Sequence, residues 1–154
     1  MAFIGGDFKG DKIAIARGRI MCYNIEKAEV SAVNRQEFET LIYDTYGVRA
    51  EHPFARDPDT AVFRHTLGRK WFAVIMKIPK RRLGIDGEGD IDIVNLKCAD
   101  EIIFSMQQED GIYPAYHMNK SHWLSVSLGG SVPYDTVAWL LGISYDLTKN
   151  NKKK

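Results

Sequence analysis

Long hydrophobic runs and cysteines are both scarce in this chain. None of its 154 residues lies in an apolar run near the roughly 20 that a membrane-spanning helix needs. Residues 1–10 have no basic stretch followed by an apolar one, so no secretory signal is expected. The two cysteines, Cys22 and Cys98, lie far apart in different contexts, which argues against a disulfide framework. We therefore expect a cytoplasmic protein that does not enter a membrane.

Clusters of metal ligands and catalytic motifs are also missing. His117 and His122 are five residues apart, which matches neither one face of a helix nor one face of a strand. The acidic run 86–92 lacks the sixth-position glycine of a calcium loop, and Lys97 stands at the twelfth position, where a glutamate belongs. No glycine-rich phosphate loop is present. The sequence leaves a Cys98–His117 catalytic pair open, although a buried structural cysteine is the commoner role. We expect a non-enzymatic protein with no metal and no cofactor.

The net charge of +1 argues against a protein that is basic overall, but the charge is unevenly distributed. Residues 60–85 contain seven Lys or Arg and no Asp or Glu, and four acidic residues follow between positions 86 and 92. A local positive field can form despite the neutral total, and local fields steer partners. A solvated surface without a partner is the plainer interpretation of such a run.

A chain of this length can bury about two thirds of its surface, which predicts one domain with a core. Periodicity and capping residues predict that this domain has mixed secondary structure. Asn34 and Glu37 form a capping-box pattern and Gly47 follows the apolar repeat, which together predict a helix at 34–47. The remaining predicted elements are strands at 61–66, 70–78, 91–97 and 122–128, a helix from Asp100 to near Gly111, and a last helix opened by Ser131 and Pro133. This order is typical of an α+β fold, with helices on one face of an antiparallel sheet.

The ends of the chain are less clearly patterned. Within residues 1–33, segments 11–16 and 19–25 are compatible with a hairpin or with a flexible extension, and the sequence leaves both open. Residues 34–149 are the expected domain. The basic residues 150–154 are expected to form a solvated tail.

Two sets of side chains point to binding rather than catalysis. Basic residues at turns and element ends are suited to contact phosphates: Arg69, Lys70, Lys80, Arg81, Arg82, Lys97 and Lys120. Polar and aromatic residues suited to stack on or hydrogen-bond a base or small ligand form a predicted cleft: Asn95, Tyr116, His117, Asn119, His122 and Trp123. Simpler roles stay open, with Trp123 as a half-buried packing residue, Asn119 as a turn former and His117 as the partner of a buried hydrogen bond.

These motifs resemble the MmcQ/YjbR family. The resemblance rests on Val94-Asn95-Leu96-Lys97-Cys98, on Tyr113-Pro114-Ala115-Tyr116-His117-Met118-Asn119-Lys120 with His122-Trp123, and on Gly129-Gly130-Ser131-Val132-Pro133. It covers roughly residues 34–149. It implies a CyaY-like (frataxin-like) two-layer sandwich and a DNA-binding role through hairpin "wings".

The leading hypothesis is a non-enzymatic DNA-binding protein whose wings, the hairpin 61–78 and the loop 79–90, present basic side chains to phosphate. The alternative is an adaptor that binds a protein or a small ligand in the cleft at 116–123. Salt separates the two, because phosphate contacts weaken steeply as salt rises and an aromatic cleft responds little.

Overall fold

The computed structural model describes residues 11–16, 19–24 and 32–149 of the chain. Its elements, in chain order, are β1 (Asp11–Ala16), β2 (Arg19–Asn24), α1 (Arg35–Tyr46), β3 (Ala61–Arg64), β4 (Trp71–Pro79), a 3₁₀ turn (Lys80–Leu83), β5 (Asp90–Lys97), α2 (Asp100–Met106), β6 (Ile112–Pro114), β7 (Trp123–Ser127) and α3 (Tyr134–Thr148). Strands β1 and β2 pair with each other in an antiparallel manner, apart from the main sheet.

The main sheet has five strands in the order β3-β4-β5-β7-β6, and every neighbouring pair is antiparallel. Three α-helices accompany it in the described residues, so the predicted α+β class is confirmed. The comparison with frataxin-like proteins stays a prediction. No helix in the described part of the chain is long and apolar enough to cross a membrane.

One face of the sheet, called here the helix face, carries the apolar core. Ile75, Val94 and Val126 occupy cross-strand positions on β4, β5 and β7 and are fully buried. Phe38 of α1 and Leu140 of α3 belong to the same buried cluster. Because side chains alternate along a strand, the residues between these positions project to the opposite, far face.

Local signals explain the helix boundaries. The Asn34 side chain accepts a hydrogen bond from the Glu37 backbone, the Glu37 carboxylate accepts one from the Asn34 backbone, and Gly47 ends α1 in the left-handed region at φ 69°. The predicted helix 34–47 is therefore confirmed. Helix α2 ends at Met106, short of the predicted end near Gly111. The short edge strand β6 follows and was not predicted.

The sheet has two ends with different sequences. The turn end contains the β3–β4 turn (residues 65–70), the end of β5 at Lys97 and the start of β7 at Trp123. The loop end contains Pro79, Asp90 and the loop 80–89 between them. Strand β4 has nine residues and connects the two ends, which separates them by roughly 26 Å at about 3.3 Å per residue.

Candidate binding surface at one end of the sheet

The basic residues predicted to contact phosphate lie at both ends of the sheet. Arg69 and Lys70 belong to the β3–β4 turn and Lys97 ends β5, so they lie at the turn end, as does Lys120 just before β7. Lys80, Arg81 and Arg82 form the 3₁₀ turn at the loop end. The two predicted wings therefore project from opposite ends of β4 and do not form one surface.

At the loop end, basic and acidic side chains share one loop. The backbone N–H of Lys80 donates to the Gly89 carbonyl at 3.0 Å, which holds the two sides of the loop together. Asp86, Glu88, Arg81 and Arg82 are exposed in this loop, and Asp90 is exposed directly after it. Opposite charges this close cancel much of each other's field beyond a Debye length of about 8 Å. The loop end is therefore poorly suited to attract a polyanion.

At the turn end, a lysine lies beside an aromatic ring. Lys97 on β5 is directly opposite Trp123 on β7, and both are half-buried on the far face. Lys120 and Lys70 are exposed on either side of this pair of strands. Arg69 is less available, because its guanidinium makes two bonds of 2.8 and 3.0 Å to the Glu51 carboxylate.

Asn95, predicted as a ligand-cleft residue, is fully buried, and its amide is occupied by the protein itself. Its Nδ2 donates to the Tyr116 carbonyl at 3.0 Å, and its Oδ1 accepts from the Ser125 hydroxyl. Ser125 in turn accepts from the Tyr116 backbone N–H at 2.8 Å. This network fastens the segment before β7 across the far face. Asn95 therefore positions the surface and is not free to bind a ligand.

The other predicted cleft residues are arranged along the connection from β6 to β7. Asn119 Oδ1 accepts from the Ser121 backbone at 2.9 Å, so this side chain forms a turn, the simpler role that the sequence left open. His122 Nδ1 lies 3.4 Å from Asp100 Oδ1. His117 is exposed with φ 57°, and its ring centroid lies 4.0 Å from that of Tyr116. Left-handed backbone is uncommon outside glycine, although histidine tolerates it better than most residues.

The Cys98–His117 pair that the sequence left open has little chemical support. Cys98 is buried, and burial raises the pKa of its thiol against a smaller lowering by the backbone at Ala99. A nucleophilic cysteine needs the opposite shift, toward thiolate. His117 is exposed in the segment before β7. Within the described residues, no three His, Cys, Asp or Glu side chains are grouped so that they could hold a metal ion.

A second cationic site, which the sequence did not predict, lies beside the turn. Arg49, Glu51, Arg64 and Arg69 line a cavity between the end of α1 and the β3–β4 turn. Glu51 reaches this place because its backbone pairs with Val62 of β3. No local sequence signal announces such a pairing, since an isolated bridge has neither strand length nor alternation.

The chain matches known proteins along most of this domain. Residues 43–147 match the family model YjbR. The chain belongs to the YjbR family. The identification made from the motifs at 94–98 and 113–123 is therefore confirmed.

Two YjbR-family relatives support the assignment. "Uncharacterized protein YyaQ" of Bacillus subtilis (strain 168) is 37% identical over 117 residues, which cover 76% of this chain and 99% of that protein. "Uncharacterized protein YjbR" of Escherichia coli (strain K12) is 36% identical over 58 residues, covering 37% of this chain and 49% of that protein.

Solved structures resemble the YjbR-family fold described above. A crystal structure of a protein from Pseudomonas syringae aligns with a TM-score of 0.75 and 40% identity, over 76% of this chain and 100% of that chain. The crystal structure of Deinococcus radiodurans protein DR2400, with the domain DUF419, aligns with a TM-score of 0.59 over 79% of this chain and 82% of that chain. At 24% identity, this second likeness concerns the fold alone.

Proposed function

We propose that this YjbR-family protein is a non-enzymatic DNA-binding protein that contacts phosphates through the turn end of its sheet. The support is the charge of the described residues on elements that meet there. The acidic side chains at this end are fewer than the basic ones: Asp44, Glu51, Asp100, Glu101 and Asp146 against Arg49, Arg64, Arg69, Lys70, Lys97, Lys120 and Lys149. Seven positive charges against five negative ones leave an excess of two.

The helices at this end reduce the excess but do not remove it. Helix α3 ends beside the turn, where Thr148 lies 2.7 Å from His65, and α1 ends where Tyr46 stacks on Tyr145. Each helix C-terminus carries about half a negative charge, so the two together offset about one unit. A positive surplus of about one unit therefore remains at the turn end.

The observation that carries the proposal is the cross-strand pair of Lys97 and Trp123, with exposed Lys120 beside it. A lysine next to a half-exposed ring offers a phosphate contact and a stacking surface at one place. The nearby Tyr116 ring is also partly exposed. A cytoplasmic location, which we also propose, would give this surface access to nucleic acid.

Fluorescence anisotropy of a labelled random duplex tests the proposal. If Lys70, Lys97 and Lys120 each contact one phosphate, the slope of log K against log salt is about −2.7, and affinity falls roughly 40-fold between 50 and 200 mM salt. The Lys97→Glu/Lys120→Glu double variant should lose binding. The matched control, Arg81→Glu/Arg82→Glu at the loop end, makes the same charge change and should retain it. Equal loss in both variants, or salt-independent binding, would contradict the turn-end assignment.

The second candidate function is an adaptor that binds a small planar ligand or a protein at the same surface. The observation that favours it is the Tyr116–His117 ring pair, in which an exposed histidine is held in left-handed backbone. Binding of this kind should be nearly independent of salt and should be lost in Tyr116→Ala. Ligand binding of this kind should be retained in Lys120→Glu, whereas DNA binding should be lost in that variant.

A further inference from the structure

A cavity of about 320 Å³ lies between the C-terminal end of α1 and the β3–β4 turn. Its charged lining consists of three guanidiniums and one carboxylate, from Arg49, Arg64, Arg69 and Glu51, and Thr66 adds a hydroxyl. The volume is at the lower end of the range for small-molecule sites, which runs from about 300 to 1,000 Å³. The cavity is a depression that is open to solvent.

The carboxylate of Glu51 stands between two of the arginines. Its Oε1 lies 2.8 Å from Arg69 Nη2, and its Oε2 lies 3.1 Å from Arg64 Nε. No lining carboxylate neutralises the third arginine, Arg49. The four charged groups therefore present a net charge of two positive units toward the cavity, reduced by about half a unit from the carbonyl end of α1.

Aromatic rings support two of the guanidiniums. The Arg49 guanidinium lies 4.3 Å from the centroid of the Tyr43 ring, and that of Arg64 lies 5.5 Å from the centroid of the Trp71 ring. Stacking on a ring limits the orientations of a guanidinium and leaves its edge N–H groups free to bind an anion. The donors of the cavity are therefore largely oriented before any ligand arrives.

One donor of a residue that lines the cavity lacks a hydrogen bond within the protein. Arg64 Nε is buried and has no hydrogen-bond partner among the described residues, because its 3.1 Å approach to Glu51 lacks hydrogen-bond geometry. A buried donor without a hydrogen-bond partner is energetically unfavourable. Arg69, which completes the ion pair, sits in left-handed backbone at φ 58°. Such backbone is strained in a non-glycine residue and is concentrated at functional sites.

We infer that this cavity is a binding site for a phosphate monoester. A phosphate monoester carries about one and a half to two negative charges at neutral pH, which is close to the roughly one and a half positive units that remain in the cavity, whereas a carboxylate carries one and a DNA backbone phosphate carries one. Arginine forks bind phosphate oxygens through paired, charge-assisted hydrogen bonds. The ligand is either a free metabolite ester or the terminal phosphate of a polynucleotide, and both present the same group.

This site is separate from the surface proposed to contact duplex phosphates, and it does not depend on that proposal. Arg69 is adjacent in sequence to Lys70, so both sites lie at the turn end. The residues required here are Arg49, Arg64 and Arg69; they add to the positive charge of the turn end, but the direct duplex contacts are assigned to Lys70, Lys97 and Lys120. Failure of one proposal therefore leaves the other standing.

Titration followed by ¹H–¹⁵N NMR, including the arginine Nε–Hε signals, tests the inference. Inorganic phosphate, glycerol 3-phosphate and acetate are added separately at constant ionic strength. We expect saturable shifts of the Arg64 and Arg69 side-chain signals with both phosphates, and acetate binding at least about tenfold more weakly. Comparing a 5′-phosphorylated with a 5′-hydroxyl oligonucleotide then separates a polynucleotide end from a free ester.

Three variants and one control decide the outcome. Arg69→Gln and Arg49→Gln should each weaken phosphate binding roughly tenfold or more, since each removes a charged donor. Both side chains are exposed, so neither substitution opens the core. Glu51→Gln should tighten binding, because it removes the competing carboxylate. Arg81→Gln makes the same charge change at the loop end and should have no effect. Shifts that do not saturate in the parent protein, or that persist in both arginine variants, would overturn the inference.

Discussion

Replacing Asn95 by alanine separates a positioning role from a ligand-binding role. The substitution removes the donor to the Tyr116 carbonyl and the acceptor for the Ser125 hydroxyl. Both Asn95 and Ser125 are fully buried, so water cannot readily replace the lost partners. At about 1–3 kcal/mol for each of the two polar groups left unsatisfied, the free energy of unfolding should fall by about 2–6 kcal/mol.

Urea denaturation followed by tryptophan fluorescence measures this loss. With an m-value of about 2 kcal/mol per molar urea, the midpoint should move down by about 1–3 M while m stays constant. The matched control is Asn119→Ala, which removes the side-chain bond to the Ser121 backbone in an exposed turn. We expect that control to lower the free energy of unfolding by less than about 1 kcal/mol.

Two further measurements test whether Asn95 holds this segment in place. Amide hydrogen exchange in residues 115–122 should accelerate in Asn95→Ala, because the network that fastens this segment is lost. A double-mutant cycle with Ser125→Ala should show a coupling of about 0.5–3 kcal/mol. If the free energy of unfolding of Asn95→Ala lies within about 0.5 kcal/mol of that of the parent protein and amide exchange is unchanged, the network does not hold the segment. Asn95 would then be a candidate ligand contact again.

Other expected outcomes concern buried and backbone-constrained groups. Burial lowers the pKa of His65, against a smaller raising by the Tyr145 backbone, so on acidification the unfolded state binds a proton at this residue before the folded state does. The free energy of unfolding should therefore decrease as pH falls below about 6.5. In His65→Gln the pH dependence that this histidine causes should be absent. In a Cys22→Ser background, a thiol reagent should modify Cys98 at least about tenfold faster in urea than in buffer, because burial raises the pKa of its thiol. Gly111→Ala should lower the free energy of unfolding by more than about 2 kcal/mol, because the backbone at this position has φ 84° and an added methyl would lie 2.6 Å from a valine methyl. Gly129 has a similar φ of 74°, but an added methyl would lie in open space. Gly129→Ala should therefore lower the free energy of unfolding by only about 1 kcal/mol.

Elements with local signals were predictable from the sequence, and those with only non-local support were not. The capping box at Asn34 and the αL glycine at position 47 predict α1 within one residue, because each signal acts within a single turn of helix. The three-residue strand β6 carries no pattern of its own and exists because β7 offers it an edge. Its place beside β7, and that of β7 beside β5, depend on contacts distant in sequence.

The candidate surface was predictable in composition but not in arrangement. One part of the arrangement was nevertheless available: an uninterrupted strand of nine residues puts its two connecting turns at opposite ends, so Arg69 and Arg81 could not share a surface. Arg49 and Glu51 had no such signal, since only the pairing of Glu51 with Val62 brings them to the turn. The role of Asn95 was also hidden, because a buried amide and an exposed one look alike in sequence.

The buried network and the proposed DNA surface are mechanically connected. Asn95 and Lys97 are two positions apart on β5 and therefore lie on the same face of the sheet. The segment that Asn95 fastens leads directly to Lys120. Loss of the network should therefore release Lys120 without touching Lys97. Asn95→Ala should reduce the salt slope of duplex binding by about one phosphate contact and lower stability, whereas Lys97→Ala should reduce the slope by about the same amount at nearly unchanged stability. A salt slope that Asn95→Ala leaves intact, while amide exchange in residues 115–122 accelerates, would mean that Lys120 makes no phosphate contact.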